Sequence, residues 1–275
     1  MSLRFRVLGS GSGGNATLVE GGGARVLLDA GLGPRQLAER LLSAGVDPAS
    51  LDAVFLSHEH GDHARGAAAF SKRWGVPLAG TRGTFQATGL GRARLPAYEP
   101  IAPGETRTIR RLAVRAVAVP HDAVSPLAFV LSAGASSLGH ATDLGHLSRR
   151  LVDACRGCDA LLVESNYDPS MLRDGPYPWS LKERILGPLG HLSNGDVGRL
   201  LEKGLGDACR LVVLAHLSQK NNHPELALQA AGEALGRSGR RGVEVTLAPP
   251  AGTGWVAVRA SRVEVGRREG QLRLF

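Results

Sequence analysis

Cysteine is scarce in this chain: three in 275 residues, at Cys155, Cys158 and Cys209. An odd, low count argues against a disulfide framework. Cys155 and Cys158 form a CxxC with no second pair to complete a zinc knuckle, so the spacing reads as structural or incidental, with redox use as the remaining option. Lysine is scarce too. Of 33 basic residues only Lys72, Lys182, Lys203 and Lys220 are lysine, and the rest are arginine. No run approaches about 18 uninterrupted apolar residues, so no membrane helix is expected. The stretch MSLRFRVLGSGSGG at the amino terminus shows no apolar h-region and no cleavage site. No secretory signal is read there, and the expected location is the cytoplasm.

What is present fits a globular protein with a sizeable core: 43% hydrophobic and 21% charged residues. The net charge is +8 and the pI about 10.1. Arginine forks suit phosphate oxygens, and a basic surface suits nucleic acid. The alternative is compositional bias, since the arginines are scattered apart from short clusters at 110–111, 149–150 and 240–241.

Strand and helix patterns alternate. Strands are expected at 3–9, 16–21, 24–31, 52–57 and 76–81, with helices over 34–45 and 63–75. Residues 94–141 read mostly as strand, with the clearest pieces at 111–120, 127–134 and 136–143. Further on, helices are expected at 147–155, 194–205 and 224–236, and strands at 159–165, 209–216, 243–248 and 254–260. Two sheets with helices on their outer faces accommodate this order. Residues 166–190, rich in proline and glycine, read as an ordered loop over a site.

The stretch FLSHEHGDHARG, residues 55–66, carries the strongest chemical signal. An apolar strand delivers His58, His60, Asp62 and His63 into the loop that follows it, where such folds place their sites. His58 and His60 are two apart and point the same way on an extended segment, so both reach one ion. Asp62 and His63, beyond Gly61, can face a second. Glu59 points away from its neighbours.

This HxHxDH loop resembles the signature of the metallo-β-lactamase superfamily of hydrolases. The stretches SGSGGN beside LLDAGL, LLVESNYD (161–168), GPYPWSLKERILGPLGHLSN (175–194) and LAHLSQKNNHPELA (214–227) are similar to its YycJ/WalJ-like subfamily, and more loosely to the PhnP and ribonuclease Z groups. The resemblance runs from about residue 3 to residue 235. It implies an α+β fold of αββα type, a four-layer sandwich of two β-sheets flanked by helices. The chain then forms a single domain over 1–275, without the β-CASP insertion and with 262–275 as a loose tail. It also implies two divalent metal ions, zinc or manganese with iron admitted. His58, His60, His121 and Asp143 would take the first ion, and Asp62, His63, His216 and the bridging Asp143 the second. His191 would serve the phosphate or leaving group. Such a pair of ions lowers the pKa of a shared water, so that hydroxide is available at neutral pH, with Asp62 aiming it.

The implied function is a binuclear metal-dependent phosphodiesterase or nuclease acting on DNA, of the 5′-to-3′ exonuclease type. The alternative is a small-molecule, cyclic phosphodiesterase. Ser12, Asn15, Asn166 and Asn221 are candidates for substrate binding. Tyr167, Tyr177 and Trp179 either stack on a base or pack their loop. DNA is the expected partner, no membrane contact is expected, and a homodimer stays open.

Overall fold

The computed structural model describes residues 3–92 and 94–260. The expected tail at 262–275 lies outside the described residues. Strands β1 (Leu3–Gly9), β2 (Ala16–Gly21), β3 (Ala24–Leu28), β4 (Ala53–Phe55), β5 (Leu78–Gly80) and β6 (Tyr98–Pro100) form the first sheet in sequence order. Strands β7 (Thr106–Ile109), β8 (Leu112–Ala118), β9 (Leu127–Ala133), β10 (Ser136–Ala141), β11 (Ala160–Glu164), β12 (Leu211–Ala215) and β13 (Glu244–Leu247) form the second. β14 (Val256–Val258) returns to the first sheet, antiparallel to β1. Each sheet is antiparallel where hairpins join neighbours and parallel where a helix intervenes.

The period of two along the strands builds the layers. Phe5, Val26, Leu28, Phe55, Leu131, Leu162 and Val213 point into the core between the sheets. Phe55 and Phe129 meet there edge to face, with ring centroids 5.8 Å apart. The alternate residues Leu18, Leu27 and Val54 face α1 (Pro34–Ser43) on one outer side. Leu161, Val163, Val212 and Leu214 face the helices of the other. Both faces of the central strands are therefore apolar, and a buried strand can end only in a loop at the sheet edge. The four-layer αββα sandwich implied by the resemblance is the arrangement observed.

Three expectations need correction, and one element is added. The helix expected over 63–75 is two, α2 (Gly61–Ala64) and α3 (Ala67–Trp74). The break falls where Gly66 donates to Ala30 O at 2.9 Å and where a Cβ would meet Leu32 O at 2.1 Å. A short helix, α4 (Arg82–Ala87), follows β5 with Thr81 as its cap, and no sequence signal was read there. α5 (Arg149–Cys155) begins two residues later than the helix expected from residue 147. Residues 166–190 are not plain loop: they hold α6 (Pro169–Asp174) and α7 (Trp179–Leu186). These two short helices are held by Tyr167, Leu172 and Ile185 packing together, more than by helix propensity. α8 (Asn194–Arg199), running into a π-type turn over Leu200–Gly204, and α9 (Pro224–Arg237) complete the outer layer of the second sheet.

Among the described residues no helix is long and apolar enough to cross a membrane. All three cysteines are free and buried. Burial pushes the Cys155 thiol up to about 12 and that of Cys209 up to about 11, which suits packing and not redox exchange.

Candidate metal centre

The loops after β3, β4, β10, β11 and β12 converge at one edge of the sandwich. Four non-glycine residues among those described have positive φ, and three of them sit here: Asp29 (61°), Asp143 (60°) and His216 (54°). Each ends or closely follows an apolar strand. The left-handed turn costs on the order of 1–3 kcal/mol per residue and swings the side chain out of the sheet plane into the site.

The side chains expected as ligands come together. Donor atoms of His58, His60 and His121 lie within 4.8 Å of one another, as do those of His58, His63 and Asp143, and those of Asp62, His63 and His216. His63 Nε2 stands 2.9 Å from Asp143 Oδ2 and 3.6 Å from Asp62 Oδ2. His216 Nε2 stands 3.4 Å from Asp62 Oδ2. His121 Nε2 faces His60 Nδ1 at 3.3 Å and Asp143 Oδ1 at 3.8 Å.

The outward nitrogens are tied to oxygen, which orients the rings. His58 Nδ1 lies 2.9 Å from Ser57 Oγ, His121 Nδ1 donates to Gly190 O at 3.0 Å, and His63 Nδ1 meets Asp29 Oδ2 at 2.7 Å. The inward nitrogens of His58 and His216 are buried with no hydrogen-bond partner. Burial and the neighbouring His63 push the His58 imidazole well below its ordinary pKa, so a lone pair is available. Burial also lowers His63 and His216, but Asp143 and the other carboxylates outweigh it and raise both, His216 to about 10. The carboxylates thus draw positive charge to one spot. Buried, partnerless nitrogens around a shared carboxylate fit the paired divalent cations that the donor set implies.

Two residues that the sequence reading passed over hold this arrangement. Asp29 accepts from Ser57 N at 2.7 Å and from Ser57 Oγ at 2.9 Å, besides its contact with His63. Glu164, fully buried at the end of β11, accepts from Leu192 N at 2.6 Å, Asp143 N at 2.9 Å and Leu144 N at 3.1 Å. Its Oε2 also lies 3.1 Å from His191 Nδ1 and 3.4 Å from His216 Nδ1. Burial raises the Glu164 carboxyl, yet His191 and His216 hold it down at about 2. With three backbone donors saturating it, Glu164 is a brace that ties three site loops together. Each of the two acids ends or follows a run of buried apolar residues with no solvent to face, a signal that was readable.

The substrate-binding candidates divide. Ser12 and Asn166 line a cavity of about 240 Å³ that opens over His60, Asp62, His121, Asp143, His191 and His216. Asn15 is buried: its side-chain oxygen accepts from Gly11 N at 2.8 Å, and its amide nitrogen lies 2.9 Å from His63 Nε2, so it faces the ligands. Gly31 permits that approach, since a Cβ there would meet Asp62 O at 1.6 Å. Asn221 is fully buried and does not line the cavity; its backbone oxygen accepts from Asp168 N at 2.8 Å, bracing α6. The expectation that it lines the substrate channel is corrected on that ground. Glu59 points away, accepting from Val124 N at 2.7 Å. Tyr167 is buried beneath α7, Tyr177 lines the cavity, and Trp179 is 63% exposed. His140 is buried against Thr17 at 3.2 Å, and His146 lies 2.9 Å from Pro188 O.

The beta-lactamase superfamily domain matches residues 24–216, a span that contains every expected ligand. The chain belongs to the metallo-β-lactamase superfamily. Within it, the chain is 34% identical over 231 residues to exodeoxyribonuclease WalJ of Streptococcus pneumoniae, covering 82% of this chain and 86% of the relative. It is 32% identical over 241 residues to exodeoxyribonuclease YycJ of Bacillus anthracis, covering 87% of this chain and 91% of the relative. Among solved structures, the metallo-β-lactamase fold protein YhfI of Bacillus subtilis superposes with a TM-score of 0.71 at 16% identity, covering 94% of this chain and all of that one. That likeness speaks to the superfamily fold alone.

Proposed function

We propose that the protein is a binuclear metal-dependent phosphodiesterase that shortens DNA from an end, of 5′-to-3′ type. The observation that carries the reading is the cavity over the ligand cluster. His191 stands at its wall, and its volume of about 240 Å³ falls below the roughly 300–1,000 Å³ usual for ligand pockets. A cavity of that size admits a strand end or a small phosphodiester and not a length of duplex. The names of the two curated relatives, matched over most of both chains, support DNA as the substrate.

His58, His60, His121 and Asp143 would hold one cation, and Asp62, His63, His216 and Asp143 the other. Zinc or manganese suits this nitrogen and oxygen set, and iron is admitted by it. Such cations supply Lewis-acid activation of water and neutralise charge on phosphate. Asp62 is 24% exposed at its side chain. Burial raises its carboxyl, but His216, 3.4 Å away, and the neighbouring His63 hold it below the usual range, so it stays an acceptor that aims the attacking water. His191 turns Nδ1 to Glu164, leaving Nε2 for the cavity. Burial lowers its pKa and Glu164 raises it further than that, so Nε2 carries a proton for the leaving oxygen.

The same cavity volume favours one second reading, a small cyclic phosphodiester as substrate. A time course on 5′-labelled and 3′-labelled single- and double-stranded DNA with Mn²⁺ separates the two. Progressive shortening, lost in Asp62→Ala, is the expected result. Intact strands, with bis-p-nitrophenyl phosphate still hydrolysed, would move the assignment to the small substrate.

A further inference from the structure

The face of α7 that walls the cavity has no part in the mechanism above. On α7, Leu181, Arg184 and Ile185 share one side at helical spacing; Tyr177 stands just ahead of the helix, and all four line the cavity. The wall is fixed to the site: His191 N donates to Ile185 O at 3.0 Å, and Lys182 Nζ to Arg173 O at 2.6 Å.

Arg184 is aimed by a partner. Its Nε donates to Asp122 Oδ2 at 2.5 Å, and Asp122 is itself set by its N–H donating to Leu189 O at 3.0 Å. The terminal nitrogens of Arg184 make no hydrogen bond among the described residues, and its side chain is 60% exposed. Asp122 stands between Arg184 and the ligand cluster, with Oδ1 3.3 Å from His121 Nε2. A guanidinium held at Nε with its fork free is arranged for two-point contact with phosphate. Asp122 touches both Arg184 and His121, so it offsets the fork from the phosphate being cut and places it for a neighbouring one. Beside it, the half-buried ring of Tyr177 with Leu181 and Ile185 offers an apolar wall suited to the face of a base.

We propose that Arg184, held by Asp122, and the Tyr177 wall form a receptor for the phosphorylated terminal nucleotide of a strand. The enzyme then selects strand ends bearing a phosphate monoester and cuts one nucleotide in. The inference rests on the nuclease reading and adds the end chemistry. Asp122 is a positioning residue that acts through Arg184.

The test compares kcat/KM on otherwise identical DNA strands with 5′-phosphate or 5′-hydroxyl ends, and with 3′-phosphate or 3′-hydroxyl ends. The wild type, Arg184→Gln, Arg184→Lys and Asp122→Asn are assayed, each with its bound metal measured. The wild type should favour a phosphate at one end by about tenfold or more, the usual worth of a charge-assisted contact, and that end gives the polarity. Arg184→Gln should bring the ratio close to one through KM. Arg184→Lys, which keeps charge without the fork, should retain part of it. Asp122→Asn should lower the ratio with metal content unchanged. No preference in the wild type, or an unchanged ratio in Arg184→Gln, overturns the receptor while leaving the nuclease reading standing. Loss of metal in Asp122→Asn overturns the positioning role. Failure to cut any strand, with bis-p-nitrophenyl phosphate still hydrolysed, overturns the nuclease reading and the receptor with it.

Discussion

Replacing Glu164 with glutamine tests whether the site is braced from below. Glutamine keeps the size but cannot ionise. One of its two ends must present an NH₂ to the backbone N–H groups of Asp143, or of Leu144 and Leu192, where an oxygen now accepts. A fall in the carboxyl's pKa from 4.5 to about 2 corresponds to roughly 3 kcal/mol of stability in the metal-free protein. The folded-state pKa is depressed, so this contribution is present above pH 4.5 and is lost as pH falls through about 2. Facing at least one buried N–H with a donor adds about 1–3 kcal/mol. Urea unfolding of the metal-free wild type and Glu164→Gln should differ by roughly 4–6 kcal/mol at neutral pH, with the gap narrowing below pH 4.5. A gap under about 1 kcal/mol at neutral pH, or one that does not change on acidification, would refute the brace.

Three further outcomes follow from the same contacts. Asp29→Asn frees the His63 ring from its 2.7 Å partner and should weaken metal binding about 10- to 100-fold by calorimetry, with the fold kept. The His216 pKa is raised, so the stability it gives the metal-free protein is full below pH 6.5 and is lost as pH rises through about 10. Thermal melts in chelator should therefore fall across that window, and metal binding below it should release protons, read from calorimetry in buffers of different ionisation enthalpy. His191→Ala should lower kcat by about 10²–10⁴-fold with bound metal unchanged; loss of metal would make His191 a ligand.

How much was legible follows from where each residue sits. His58, His60, Asp62 and His63 fall within six residues, and His121, Asp143 and His216 each follow an apolar run. Strand ends deliver them, so the strand pattern and the ligand pattern carry the same information. Asp29 and Glu164 were passed over because a single acid at a strand end also looks like the start of a turn. Only the burial of β3 and β11 on both faces makes those carboxylates costly and therefore purposeful. α6 and α7 left little periodicity in a proline- and glycine-rich stretch, since their order comes from packing on Tyr167 and Leu172. The split between α2 and α3 depends on Gly66 meeting the chain at Ala30 and Leu32, a contact between segments that no local pattern records.

On the proposed reading, these seven side chains work together as a paired metal centre. The direct measurement is to titrate metal-free protein with Mn²⁺ while following cleavage of end-labelled DNA. No cleavage is expected without metal, and activity should saturate near two equivalents per chain. Full cleavage in chelator, or saturation at a single equivalent, would contradict it.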